Sequence, residues 1–130
     1  MRKLVIDARP GEYAVARLGP GASVPPRLFE PGDSLVSVTR TPGELSVVCA
    51  ADRVPEDAVV ETGWRVLTVR GPLDFTLTGI MAALSSELAA AGVSLFALST
   101  YDTDHLLVKD ADLERAVAAL RGGGHEVHGT

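Results

Sequence analysis

The C-terminal half of the chain shows hydrophobic patterns that change from strand-like to helix-like and back. Trp64–Arg70 is rich in β-formers and is followed by a Gly-Pro turn signal. Over Thr76–Ala91, apolar residues recur at helical spacing. Thr76 or Asp74 is a candidate cap for the start of this helix, and Gly92 fits its left-handed stop. The pattern therefore predicts a strand, a turn and an amphipathic helix.

The remaining C-terminal segments continue this alternation of strands and helices. We predict a strand, a turn, a second strand, a short helix and a last strand at Val93–Ser99, Tyr101–Asp104, His105–Val108, Asp110–Arg121 and His125–His128. The order β-α-β-β-α-β is the ferredoxin-like arrangement, which packs two helices on one face of an antiparallel sheet. The pattern thus indicates an α+β fold.

The first half of the chain looks irregular, but it overlays on the second half. Ser34–Val48 lies 60 positions before the segment Ser94–Val108, and Glu44 falls on Asp104 in this overlay. Upstream, Tyr13–Leu18 resembles the Trp64 strand with an offset of 51. The overlay predicts an internal repeat. The alternative is that two β-hairpins look alike by chance.

The first repeat is shorter where the second has its helices. Pro25–Phe29 leaves room for about one turn, and Val54–Asp57 stands in place of the second helix. Ala58–Glu61 is the expected closing strand. We therefore predict two ferredoxin-like repeats with antiparallel sheets: a degenerate N-terminal one over residues 1–62 and a complete C-terminal one over residues 63–130.

Charge and composition restrict the classes of partner and the compartment. The 130 residues carry 12 Lys and Arg against 17 Asp and Glu, a net charge of -5. This balance argues against a nucleic-acid binder or a protein that docks on an anionic membrane. The N-terminus lacks the apolar run of a signal peptide, and a single cysteine fits a reducing compartment. We expect a cytoplasmic protein.

The chain offers little support for catalysis. Cys49 lies in an apolar run and is expected to be an inert buried thiol. His125 and His128 form a His-x-x-His pair, which is weak evidence for a metal. The phosphate-binding glycine motifs are absent, and the lack of any Asn excludes an acylphosphatase-type site. We expect no enzyme activity, no metal and no cofactor.

Two strings in the second repeat carry a resemblance to a known family. They are Gly71–Ile80, read GPLDFTLTGI, and Leu95–Val108, read LFALSTYDTDHLLV. In these strings, and in Ser37–Pro42 and Trp64, the chain resembles small bacterial tandem-ACT proteins that are related to the CASTOR cytosolic arginine sensors. The resemblance covers most of the chain and is weakest over the first dozen residues.

The resemblance implies amino-acid binding at an interface between ACT modules. The sensor positions that touch ligand match Ser94 and Leu95, and a carboxylate from another module matches Asp104. ACT modules also use the first strand-to-helix loop, here Asp74–Ile80. Because the sensors carry four modules and this chain two, a complete site implies a homodimer. Leu95 stands where the sensors have a smaller Val, which leaves the ligand size open.

The residue types in these strings suit a zwitterionic ligand. Free N–H groups at a helix start favour a carboxylate, and Asp side chains accept from an ammonium or a guanidinium. We predict an amino-acid-binding regulatory or sensor protein. The alternative is a module that docks an enzyme or another ACT protein without any ligand. The candidate ligand-binding residues are Ser94, Leu95, Asp104, Asp74, Thr76, Thr78, Gly79, Ile80 and Thr100.

Overall fold

The computed structural model describes residues 3–73 and 79–129. Within these ranges the chain forms strands and two α-helices, joined by loops and three short 3-10 turns. In chain order the strands and helices are β1 (Val5–Ala8), β2 (Tyr13–Leu18), β3 (Ser37–Thr41), β4 (Glu44–Ala50), β5 (Val59–Val69), α1 (Ile80–Ala90), β6 (Phe96–Ser99), β7 (Asp104–Lys109), α2 (Leu113–Gly122) and β8 (Glu126–His128).

The chain divides into two compact units. The N-terminal unit is Gly11–Trp64, and the C-terminal unit combines Met1–Pro10 with Arg65–Thr130. The long strand β5 therefore contributes its first residues to one unit and its last residues to the other. The N-terminal ten residues belong to the C-terminal unit because β1 pairs with the second part of β5 and, in parallel, with β8.

The C-terminal unit has the predicted β-α-β-β-α-β order, with one addition. Its strands follow the order β8-β1-β5-β7-β6, so β1 lies between the closing strand and the first strand of the repeat. β1 pairs with β5, and β6 with β7, in antiparallel orientation, whereas β1 and β8 are parallel. Leu84 and Leu88 of α1 and Ala116 and Leu120 of α2 are completely buried on the core. Both helices thus use one apolar stripe to cover the same core.

The N-terminal unit repeats this arrangement without α-helices. Its strands follow the order β3-β4-β2-β5, which is the order of the C-terminal unit once β1 is left out. A 3-10 turn at Pro26–Phe29 stands in place of the first helix, and another follows β4 at Ala51–Arg53. Buried Leu28 from the first of these turns packs with Leu45 and Val47. The fold is therefore α+β with two ferredoxin-like repeats, as predicted.

The structure bears on three predicted boundaries in the C-terminal repeat and corrects two of them. The described first helix begins at Ile80, after an N-cap Gly79 whose φ of 79° is outside the right-handed helical region, and the predicted start at Thr76 lies outside the described residues. The next strand begins at Phe96 and not at Val93, because the Val93 N–H bonds back to the Leu88 carbonyl oxygen at 2.9 Å. The short helix divides into a 3-10 turn at Asp110–Asp112 and α2.

The predicted boundary between the repeats also differs from the observed units. Residues 1–62 were expected to form the N-terminal repeat, but β1 belongs to the C-terminal unit. The apolar alternation of β1 serves that unit, since Ile6 is fully buried in its core. The expected closing strand Ala58–Glu61 and the Trp64 strand are one continuous strand, β5, which no turn interrupts.

Replacing Gly92 with Ala should destabilise the protein by about 1–2 kcal/mol, because a left-handed residue with a Cβ is strained. Gly92 has a φ of 75° and ends α1 with the paired bonds of a Schellman motif, Gly92 N–H to Ala89 and Val93 N–H to Leu88. Urea denaturation measures the change. The matched control is Gly122→Ala at the end of α2, where an added Cβ meets nothing within 4 Å. A cost at Gly122 equal to that at Gly92 would contradict the interpretation.

Candidate functional site

A cleft in the C-terminal unit lies between the start of α1 and the turn that joins β6 to β7. Its volume is about 320 Å³. The wall combines apolar side chains near the helix with hydroxyl and carboxylate groups from the turn. The described residues that line it are Leu73, Gly79, Ile80, Met81, Ala82, Ser99, Thr100, Tyr101, Asp102, Thr103 and Asp104.

The helix side of the cleft presents backbone donors. Ile80, Met81 and Ala82 form the first turn of α1, where backbone N–H groups have no partner within the helix. The first bond back into the helix runs from the Ala83 N–H to the Gly79 carbonyl oxygen, at 2.9 Å. Gly79 provides no side-chain cap. This wall therefore favours an anionic group through donors that have no partner inside the helix and through the helix dipole.

The hairpin side of the cleft presents a carboxylate. Ser99 and Asp104 are directly paired at the end of the β6–β7 hairpin. The Ser99 hydroxyl donates to Oδ1 of Asp104 at 2.6 Å. Within the described part of the chain no hydrogen bond is made to Oδ2 of Asp104, which leaves that oxygen for an acceptor role. Asp104 is partly buried, whereas Asp102 and Tyr101 in the turn are exposed.

The turn between the two strands is held in place by its own backbone and by the end of β5. Within the turn, the Thr100 N–H bonds to the Thr103 carbonyl oxygen at 2.8 Å. The Thr103 hydroxyl donates to the Val69 carbonyl oxygen at 2.6 Å, and the Leu73 N–H bonds to the Asp102 carbonyl oxygen at 2.6 Å. These contacts fix the carboxylates relative to the loop that leads towards α1.

Some of the predicted site residues come together in this cleft and others do not. Gly79, Ile80, Thr100 and Asp104 line it. Ser94 is exposed and does not line the cleft, and Leu95 packs against the hydrophobic core. The predicted residues Asp74, Thr76 and Thr78 lie outside the described residues.

Sequence reasoning missed several residues that line the cleft. Met81 and Ala82 fall within the predicted helix and Leu73 within the string Gly71–Ile80, but none of the three is among the predicted site residues. Ser99 was read as the end of a strand, although its hydroxyl holds Asp104. The available signal was the pairing geometry: a serine and an aspartate that flank a four-residue hairpin turn face each other across the strands.

Cys49 and His105 are both buried, and burial favours the neutral form of each side chain. It therefore raises the pKa of Cys49 and lowers that of His105. Burial raises the pKa of the Cys49 thiol more than Arg27 and Arg53 lower it. The thiol is free, fully buried and protonated, in agreement with the predicted inert cysteine. Burial, with a smaller contribution from Arg9, lowers the pKa of His105. Its Nδ1 lies 2.9 Å from the Thr68 hydroxyl oxygen.

The buried His105 predicts a loss of stability as the pH falls through about 6.5 and on towards the lowered pKa of the folded chain. Because its pKa is lower in the folded than in the unfolded chain, whose histidine titrates near 6.5, the unfolded chain binds the proton first as the pH falls. One such proton lowers the free energy of unfolding by at most about 1.4 kcal/mol per pH unit. Urea denaturation across this range should show the fall in wild type. A smaller fall in His105→Asn, which keeps a partner for Thr68, is expected, and an equal fall would contradict the assignment.

The structure also bears on metal binding and membrane insertion. Among the described residues, no group of three or more His, Cys, Asp and Glu side chains is arranged to hold a metal ion. No helix in residues 3–73 and 79–129 is long and apolar enough to cross a membrane.

Two protein-family models and a group of curated proteins match parts of this chain. Residues 59–122 match a family model described as an ACT domain, and residues 11–57 match a second model described as an N-terminal domain. The chain is 31% identical over 87 residues to the human cytosolic arginine sensor for mTORC1 subunit 1. That match takes in 61% of this chain and 26% of the sensor. The match therefore spans about a quarter of the length of this curated relative.

Solved structures share this fold over nearly the whole chain. A crystal structure of a protein from Agobacterium tumefaciens is 38% identical, covers 98% of this chain and 94% of its own, and has a TM-score of 0.88. Aspartate kinase from Synechocystis matches at a TM-score of 0.67 and 19% identity, over 98% of this chain and 28% of the kinase. The latter likeness concerns the fold alone. The family match over residues 59–122 and the similarity to the arginine sensor show that the chain belongs to the ACT-domain family, and its own fold contains two repeats.

Proposed function

We propose that this chain is a regulatory protein that binds an amino acid in the cleft between α1 and the β6–β7 turn. The observation that carries the proposal is the opposition of a helix start and a partly buried carboxylate across one cleft of about 320 Å³. The N–H groups of the first turn of α1 suit the ligand carboxylate. Asp104 suits its ammonium or another cationic group.

The cleft suits binding better than catalysis. Its groups donate and accept hydrogen bonds, and its one close side-chain pair, Ser99 with Asp104, has no histidine as a hydrogen-bonding partner among the described residues. A nucleophilic serine needs an adjacent base that can take its proton. We therefore infer that the chain acts without chemistry on its ligand and needs no cofactor.

A homodimer would complete the site. Ser94 and Leu95 match ligand-contacting positions of the arginine sensors, yet they do not line the cleft that holds Asp104. Both sets of residues can touch one ligand if Ser94 and Leu95 come from a second copy. Binding would then couple to the arrangement of the copies, because a bridging ligand stabilises one arrangement over another. The likeness to a sensor described as cytosolic supports a cytoplasmic location.

A second candidate function is protein docking without a ligand. Strand β6 pairs only with β7, which leaves its other edge open among the described strands. Tyr101, in the turn that follows β6, is 79% exposed. An open edge and an exposed aromatic side chain are features of surfaces that bind a partner by strand addition.

Thermal unfolding in the presence of each of the twenty amino acids at millimolar concentration distinguishes the two functions. An amino acid at about 100 times its Kd adds about 2.7 kcal/mol to the stability of the chain, which raises the midpoint by several degrees. A shift confined to one amino acid or one chemical class supports the sensor function. No shift with any of the twenty would contradict it and favour docking.

A further inference from the structure

A second cleft in the C-terminal unit is lined by residues of α2 and by Arg65 of β5. Its volume is about 540 Å³, larger than that of the cleft at Asp104. Leu113 and Val117 lie four residues apart on one face of α2, and with Ala118 they form an apolar wall of the cleft. Arg65 of β5 and Arg121 of α2 bring positive charge to the same cleft. The two clefts share no lining residue.

Arg65 has a buried donor without an acceptor in the part of the chain that the structure describes. Only 23% of its side chain is exposed. Its Nη1 bonds to Oδ1 of Asp110 at 3.1 Å, and its Nη2 donates to the Arg9 carbonyl oxygen at 3.4 Å. Its Nε is buried and has no acceptor among the described residues. A guanidinium carries five N–H donors and no acceptor, so this environment supplies fewer acceptors than the group can use.

The partner of Arg65 leaves room for a second anion. The Asp110 side chain is 67% exposed, and an exposed ion pair contributes little stability. A carboxylate in the cleft can share the guanidinium with Asp110 or replace it, since guanidinium groups bind carboxylates through parallel hydrogen bonds. The apolar wall beside it favours a ligand with a hydrocarbon part over a bare inorganic anion.

We propose that the cleft on α2 binds a small organic carboxylate with an apolar body. The carboxylate binds Arg65, with Arg121 at the rim, and the apolar body packs against Leu113 and Val117. This site is separate from the proposed amino-acid cleft at Asp104, and the two proposals do not depend on each other. Glu114 also lines the α2 cleft and offers an acceptor if the ligand carries an ammonium.

Titration of ¹⁵N-labelled protein with 4-methylpentanoate, leucine and isopentylamine tests the proposal by NMR. The three probes share a branched apolar body and differ in their charged groups. We expect saturable shifts of the Arg65 Nε–H signal and of the α2 amides with 4-methylpentanoate. Leucine should shift the same signals, and it should bind with a lower Kd than 4-methylpentanoate if Glu114 binds its ammonium. Isopentylamine, which lacks a carboxylate, should leave these signals unchanged.

Two exposed alanines provide matched variants. Ala118→Glu places a carboxylate in the α2 cleft and should weaken 4-methylpentanoate binding by at least about tenfold. Ala89→Glu makes the same change at an exposed position of α1 that lines neither cleft, and it should leave binding unchanged. Arg65→Lys keeps the charge but removes the planar donor set, and it should also weaken binding.

The outcomes separate the two proposed sites. Shifts that reach the Arg65 Nε–H and α2, and that Ala118→Glu abolishes, support the α2 site even if the Asp104 cleft binds nothing. Shifts confined to Ile80–Ala82 and Thr100–Asp104 overturn the α2 site and leave the proposed function intact. No saturable shift with 4-methylpentanoate, or equal shifts with isopentylamine, also overturns it.

Discussion

Replacement of Asp104 with Asn should remove most of the amino-acid binding while leaving the fold intact. An Asn side chain has the same shape and still accepts the hydrogen bond from Ser99, but it lacks the negative charge. A hydrogen bond to a charged group contributes about 1.5–3 kcal/mol, which corresponds to a loss of about ten- to a hundredfold in affinity. Calorimetric titration with the amino acid that shifts the unfolding midpoint measures the change.

The internal repeat supplies a matched control for this substitution. Glu44 lies 60 positions earlier, begins β4 as Asp104 begins β7, and is also partly buried. It does not line the cleft. Glu44→Gln removes the same charge from the corresponding hairpin and should leave ligand affinity unchanged. Equal losses in the two variants would show that net charge, and not the cleft, controls binding.

Replacement of Gly71 with Ala should both destabilise the protein and weaken ligand binding. An added Cβ would lie 2.9 Å from the Asp102 carbonyl oxygen and 3.1 Å from the Thr103 Cβ. Because the first neighbour is backbone, the β6–β7 turn must move away from the loop after β5. Overpacking of this kind costs about 1–3 kcal/mol, and it displaces the turn that positions Asp104. Urea denaturation and calorimetric titration measure the two effects.

A glycine in the other hairpin distinguishes crowding from the loss of glycine itself. At Gly43, an added Cβ meets only the Thr41 hydroxyl oxygen, at 3.9 Å. Gly43→Ala should therefore leave both stability and ligand affinity near the wild-type values. If Gly71→Ala binds the amino acid as tightly as Gly43→Ala does, the turn does not need its close contact with Gly71.

The order of strands and helices in the C-terminal repeat could be predicted because its apolar periodicity is regular. The stripe through Leu84 and Leu88 and the one through Val117 and Leu120 reach the core as expected. The 60-residue overlay also located the N-terminal hairpin, since Glu44 and Asp104 each begin a strand. Local hydrophobic pattern and repeat spacing are therefore sufficient for most of this fold.

The placement of β1 could not be predicted from local pattern. Val5–Ala8 is short, and its partners, β5 and β8, lie about 60 and 120 positions away in the sequence. Nothing in a four-residue apolar alternation specifies which distant strands it joins or whether it pairs in parallel. Tertiary packing decides this, here by burying Ile6 in the C-terminal core.

Part of the candidate site could be anticipated, and the rest depends on long-range contacts. The acidic turn and Gly79 were visible in the sequence and do line one cleft. The contact between Leu73 and Asp102, and the hydroxyl of Thr103 on Val69, join segments about 30 residues apart. Such contacts leave no periodic signal, because each involves one backbone or hydroxyl group and not a repeating apolar position.

An NMR titration of the ¹⁵N-labelled chain with a mixture of the twenty amino acids tests the central claim most directly. If an amino acid binds between α1 and the β6–β7 turn, the amides of Ile80–Ala82 and Thr100–Asp104 will shift together and saturably. Asp104→Asn will remove those shifts, and Glu44→Gln will keep them. A spectrum in which these amides do not move at millimolar concentrations would contradict amino-acid binding at this cleft.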